Sequence, residues 1–211
     1  VSAPVWTEIA DDAALTALLG VPGERVLTKD RAALSDDDRA WLAASPFCLV
    51  ATSDAAGRCD VSPKGDPAGS LVHVVDDTTV AIAERPGNRR ADGYRNILQN
   101  PHVGLVFVIP GRGDTLRING RARLVSDAPF FDAMVVKGHR PVLALVVEIE
   151  EIFFHCSKAF LRSQLWRPET WEPEALVERR AVLAHRAEAP DVPVEALDAH
   201  YGPAYEEKLY G

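Results

Sequence analysis

Between Phe47 and Phe154 the chain breaks into short apolar runs separated by turn-forming clusters, with room for only one or two helices among them. Phe47–Ser53, Arg58–Pro63, Leu71–Val75, Thr78–Ala83, His102–Ile109, Thr115–Val125 and Pro141–Phe154 each read as a strand. Asp54 to Gly57, the pair Asp76 and Asp77, and the run Pro110 to Asp114 supply hairpin connections. Six or seven strands in such quick succession exclude a doubly wound parallel sheet. The fold class they predict is mainly β with peripheral helices (α+β), an antiparallel barrel.

The segment Thr115–Val125 shows why one face must be core and the other wet. Leu116, Ile118, Ala122 and Leu124 lie on one side, and Arg117, Asn119, Arg121 and Arg123 on the other. Residues 1–45 read as a helical segment packing on the barrel, with helices at Asp12–Leu19, stopped by Gly20, and from Ser35 to about Ala44. The barrel itself covers 46–171, with helical patterns after Arg85 and over Ala128–Val136. Residues 172–211 form a helical tail, Pro173–His185 followed by short pieces, with too little apolar surface to make a second domain.

Bulk composition narrows the function classes. A net charge of -8 and a pI near 5.2 argue against non-specific binding to nucleic acid or anionic lipid. No run reaches the ~20 apolar residues that span a bilayer, and no signal peptide opens the sequence. Cys48, Cys59 and Cys156 are odd in number and scattered, which fits a reduced cytoplasmic setting.

Against that acidic background the stretch RPGNRRADGYRN, Arg85 to Asn96, carries four arginines. The pattern predicts Asn88 as a helix N-cap with Arg89 and Arg90 in the first turn, where cations oppose the helix dipole. An anion held between them, such as a phosphate, explains that placement; surface pairing with Glu84 and Asp92 is the alternative. A second cluster, Ser62-Pro63-Lys64, closes the second strand, where Pro63 removes a ladder donor and implies that the strand sits at an edge or opens outward. Lys64 is there either an anion donor in a loop-lined space or a lysine in a surface turn. A third set, Lys158, Arg162 and Trp166, repeats every four residues on one helical face. It either covers a planar anionic ligand or packs the Trp on the barrel.

Other signatures fail. Gly111 and Gly113 lack the third glycine and the following helix of a dinucleotide fingerprint. No zinc-ligand spacing and no Gly-x-Ser-x-Gly elbow are present, and His73 and His155 read as structural.

Taken together, SPKGD at Ser62, RPGNRRADGYRNILQNP from Arg85, VGLVFVIPG from Val103, TLRINGRA from Thr115 and HCSKAFLRSQLW from His155 resemble the pyridoxamine 5'-phosphate oxidase-like FMN-binding split-barrel flavoproteins, in a bacterial subgroup. The similarity runs from about Leu34 to Trp171. It implies a six-stranded split barrel and a homodimer with FMN at the subunit interface. Carried onto this chain, Ser62, Pro63 and Lys64 would line the flavin, and Arg85, Asn88, Arg89 and Arg90 would hold its phosphate. Arg162 and Trp166 would approach from the partner subunit. The phosphate motif and C-terminal substrate segment of the B6 oxidases themselves are not recognisable here, so vitamin B6 oxidation is not expected.

The resemblance implies an FMN-dependent oxidoreductase acting on a small organic substrate; Lys64 is the candidate cation for stabilising the reduced flavin, and no general acid or base can be named. A deazaflavin-dependent reductase and a non-catalytic flavin- or haem-binding protein are the rival readings. An oligonucleotide-binding barrel fits poorly with the acidic charge and the absence of stacking aromatics on the strands.

Overall fold

The structure, a computed structural model, describes residues 6–172 and 178–210. The chain separates into two compact units, Val1–Asp30 and Arg31–Gly211. The first holds helices α1 (Asp12–Leu19) and α2 (Glu24–Leu27), neither of which buries a residue. α1 is capped by the Asp11 carboxylate and ends at Gly20 in the left-handed region (φ +82°), as its sequence predicts.

The second unit is built on one antiparallel sheet of seven strands: β1 (Phe47–Ser53), β2 (Cys59–Gly65), β3 (Val72–Val74), β4 (Thr79–Ala83), β5 (His102–Val108), β6 (Thr115–Val125) and β7 (Ala144–His155). The order across it is β2-β1-β5-β6-β7-β4-β3. The count of seven replaces the six expected from the family resemblance and matches the upper count read from the residues; β3, three residues long, is paired only to β4 at one edge. β2 forms the opposite edge, where the missing N–H of Pro63 breaks no second ladder.

One apolar core explains the shape. Cys48 and Val50 from β1, Leu105 and Phe107 from β5, Leu116 and Ile118 from β6, Leu145 and Val147 from β7, and Val80 and Ile82 from β4 belong to a single buried cluster. Strands from both ends of the sheet share that core, so the sheet curls round it and leaves its two edges split. Gly120 permits the closest approach, at a register shift between Asn119 and Gly120. A Cβ there would lie 2.0 Å from the Glu148 carbonyl oxygen.

α3 (Asp36–Ala44) plugs one end with Trp41 and Leu42. Its start is a capping box: Ser35 Oγ accepts from the Asp38 N–H, and Asp38 accepts in return from the Ser35 N–H and from Arg31. Burial, the largest single influence on Asp38, pushes its carboxyl up. The hydrogen bonds from Arg31 and Ser35 and the Arg31 charge together outweigh it and hold the group below the ordinary carboxylate range.

Two predicted helices take other forms. Pro129–Met134 is a 3₁₀ turn that buries Phe131 and Met134. The helix expected to reach Trp166 is α5 (Lys158–Ser163) alone; Gln164 takes a left-handed conformation (φ +53°) and turns the chain away, so Trp166 does not continue the Lys158–Arg162 face. In the tail, α6 (Arg180–Ala187) and α7 (Val194–His200) pack through Ala181, Ala184 and Leu197, and a 3₁₀ turn follows at Pro203–Lys208. The first five residues of the predicted helix Pro173–His185 lie outside the described residues. Among the described residues no helix is long and apolar enough to cross a membrane.

Candidate functional site

The split between the sheet edges opens a cleft of about 640 Å³, within the range of small-molecule sites. β2 supplies Ser62, Pro63 and Lys64 as one wall, and the loop after β4, Glu84 to Ala91, supplies another. α4 (Asp92–Ile97) and the apolar Val50 and Leu71 form the remainder. Gly93 brings α4 against β1, where a Cβ would stand 3.3 Å from Thr52 Oγ1.

The cleft is less cationic than its sequence suggests. Lys64, Arg85, Arg89 and Arg90 line it, and so do Asp60, Asp66, Glu84 and Asp92. Lys64 Nζ donates to Glu84 and, at 2.9 Å, to the Tyr94 hydroxyl, which itself donates to Glu84. Burial first, then the Glu84 hydrogen bond and charge, raises the Tyr94 phenol well above its ordinary value, so it stays a neutral donor. Behind it Cys48 is fully buried and its thiol is pushed up to about 12.

Arg85 is committed elsewhere. Its Nε donates to Asp66 at 2.8 Å and a terminal nitrogen donates to the Met134 carbonyl at 3.0 Å. Asp66 is 2% exposed and Arg85 13%, making this a nearly buried ion pair that clamps the end of β4 to the end of β2.

The arginine loop corrects the expected helix start. α4 begins at Asp92, with Ala91 as its N-terminal flanking residue, so Asn88 is not its N-cap and Arg89 and Arg90 precede the first turn. The Asn88 carboxamide oxygen instead accepts from the Arg90 N–H at 3.0 Å, an Asx-type turn. Arg89 and Ala91 both adopt left-handed backbone (φ +61° and +55°), strained for residues with a Cβ. Arg90 pairs with Asp92, and Arg95 donates to the Arg90 carbonyl. Among the described residues, Arg89 alone of the four cleft cations has a guanidinium with no carboxylate or hydrogen-bond partner.

The structure thus gathers Ser62, Pro63, Lys64, Arg85, Asn88, Arg89 and Arg90 into one cleft. Arg162 and Trp166 do not line the cleft of their own chain. Trp166 stacks on Phe160 and donates its indole N–H to the Arg112 carbonyl at 2.6 Å. Sequence reasoning named Glu84 and Asp92 as carboxylates that could pair with the arginines: Asp92 does pair with Arg90, whereas Glu84 pairs with Lys64. Asp66, Tyr94 and Tyr210 as partners of these cations were not foreseen, and only the closeness of Asp66 to Lys64 in the sequence hinted at them. Among the described residues no group of three metal-ligating side chains is present.

The pyridoxamine 5'-phosphate oxidase family profile matches residues 34–156. The chain therefore belongs to that family, and its sheet is the family's split barrel. A search of curated proteins returned no match. Among solved structures, the chain is similar to the HupZ protein of Group A Streptococcus, at 21% identity and TM-score 0.46, over 57% of this chain and 93% of that one. An FMN-binding protein from Syntrophomonas wolfei aligns at 13% identity and TM-score 0.43, over 57% and 89%. An F420 reductase aligns at 16% identity and TM-score 0.42, over 58% and 98%. The assignment rests on the family profile; these partial superpositions add nothing to it.

Proposed function

We propose that the cleft binds FMN and that the protein is an FMN-dependent oxidoreductase acting on a small organic molecule in the cytoplasm. The observation that carries this reading is the position of Arg89, an uncompensated guanidinium on a strained loop at the rim of a cleft whose other cations are neutralised. A terminal phosphate is the kind of compact dianion such a group holds best. Arg90 would join it by exchanging Asp92 for phosphate oxygens, with the Asn88 turn presenting both residues. Arg85, bound to Asp66, would fix the frame of the loop. Bound FMN would supply reversible hydride and electron acceptance. Lys64, steadied by Glu84 and Tyr94, offers a charged N–H and a neutral phenol at the cleft wall, suited to a ligand edge that gains negative charge. Ser62 and Pro63 would line the same edge.

A second copy of the chain would complete the site. The outer face of β1, β2 and β5 carries three apolar rows in register: Val61–Ala51–Gly104, Pro63–Leu49–Val106 and Gly65–Phe47–Val108. Val61 is 61% exposed and Phe47 and Leu49 are each 38% exposed, which supports reading this face as an interaction surface. In the dimer that the family resemblance implies, Arg162 and Trp166 of one protomer would approach the other's cleft. Two measurements test the reading. Added FMN should lose its fluorescence on binding, one per chain, and the chain should sediment as a dimer that Val61→Glu dissociates. No quenching by the wild-type protein, or a flavin-loaded monomer, refutes it.

A further inference from the structure

One aromatic side chain in the cleft comes from far along the chain. Tyr210, which lines the cleft with Leu209, donates its hydroxyl to Asp66 Oδ1 at 2.8 Å across a separation of 144 residues. Its ring is ringed by cations: the Lys137 ammonium 5.2 Å and the Arg85 guanidinium 5.8 Å from the centroid, with the His139 imidazole stacked at 6.4 Å. Asp66 divides its two oxygens between Tyr210 and Arg85. Tyr210 belongs to none of the apolar clusters found among the described residues, so one hydrogen bond and these ring contacts hold it. Such contacts are individually worth little and are reversible.

The groups that hold this ring are a recognition set. A carboxylate oxygen accepts a hydroxyl proton, two cations favour an electron-rich π face, and an imidazole supplies a flat wall. We propose that the position of Tyr210 is a substrate subsite for small hydroxylated aromatic compounds, which enter by displacing the Tyr210 side chain. This deepens the reading of the cleft as a flavin site by naming the class of molecule that shares it. Tyr210 is an intramolecular competitor, and its removal frees the subsite for an outside ligand.

The probe is 4-methylphenol, the tyrosine side chain as a free molecule, titrated calorimetrically into the full chain with and without added FMN. One charged-acceptor hydrogen bond in the competitor corresponds to roughly tenfold in apparent affinity. Tyr210→Ala loses that bond and the ring contacts as well, so it should bind the phenol more than about tenfold more tightly than wild type. Toluene should bind the variant about tenfold more weakly than the phenol does, because it gives Asp66 no proton. Equal phenol affinity in wild type and variant overturns the proposal. So does binding of 4-methylcyclohexanol as tightly as the phenol, which would mean that the cations and the imidazole do not recognise an aromatic ring. Tyr210→Phe keeps the ring and loses only the Asp66 bond. It should show intermediate tightening, and wild-type affinity in that variant also overturns the proposal, whether or not the alanine variant folds. FMN affinity is read separately: its absence would sink the flavin assignment, while phenol binding to the flavin-free chain still decides this one.

Discussion

Replacing Arg89 with Ala removes a charge that no other described group of the protein uses, so its effect isolates the ligand. The side chain is exposed and has no ion pair or hydrogen bond among the described residues, and the left-handed backbone at φ +61° strains Ala as much as Arg. Folding stability should accordingly change by no more than about 0.5 kcal/mol. A guanidinium–phosphate contact is worth about 1.5–3 kcal/mol, so FMN should bind about 10- to 150-fold more weakly. Riboflavin lacks the phosphate and should lose less than about twofold, a small part of the same scale. Arg89→Lys should retain part of the affinity but lose the planar fork. Arg90→Ala should cost less than Arg89→Ala, because Arg90 must first release Asp92. Flavin fluorescence quenching at two salt concentrations reads all four values, and the FMN-specific loss should shrink at high salt. An equal loss for FMN and riboflavin, or none for either, would mean that the loop does not hold a phosphate.

Asp38→Ala removes the carboxylate half of the α3 capping box and the partner of Arg31 together, and should lower unfolding free energy by about 3 kcal/mol in a denaturant titration. Because the folded carboxyl lies below its unfolded value, its contribution is present above pH ~4 and lost as pH falls through the lowered value. Wild type should therefore lose stability below pH ~4, where the variant's acid limb is flatter; parallel limbs would exclude this role. Gly120→Ala should cost about 3 kcal/mol or more, since its Cβ meets the Glu148 carbonyl at 2.0 Å and backbone must move; an unchanged melting temperature would refute the bulge assignment.

The strands were legible because their signals are local. Alternation over Thr115–Val125, the Asp76–Asp77 turn and the Pro63 edge mark all survive in the structure, and all seven strands lie within the runs read as strands, apart from the two residues after Pro63 and His155 at the end of β7. The residue pattern allowed six or seven strands, with β3 among them, and the count of six came from the family resemblance. The helix start at Asn88 was misread for a physical reason: Asn caps a turn as readily as a helix, and Ala91 carries no sign that it will adopt φ +55°. Trp166 was misplaced in the same way by the left-handed Gln164. Of the partners in the cleft, Asp92 beside Arg90 was legible, but Lys64–Glu84, Arg85–Asp66 and Tyr210–Asp66 were not, since they join positions 20, 19 and 144 residues apart.

Those partners change what the arginine-rich loop means. Four cations so close together suggest a strongly positive pocket, yet each of three is matched by a carboxylate within the same cleft, and Asp60 accepts from Asn96. The pairs at Lys64 and Arg85 are the more deeply placed, where an unmatched charge would cost most. Arg89 sits at the rim, where leaving a charge unmatched costs least, and on backbone that favours glycine. Left-handed residues with a Cβ cost roughly 1–2 kcal/mol each, and Gly at 89 would relieve that strain while discarding the guanidinium. Retaining Arg in that conformation makes no sense for folding alone. It does make sense if the loop trades local strain for one cation aimed at a ligand, while the remaining charges are balanced to keep the cleft walls in place.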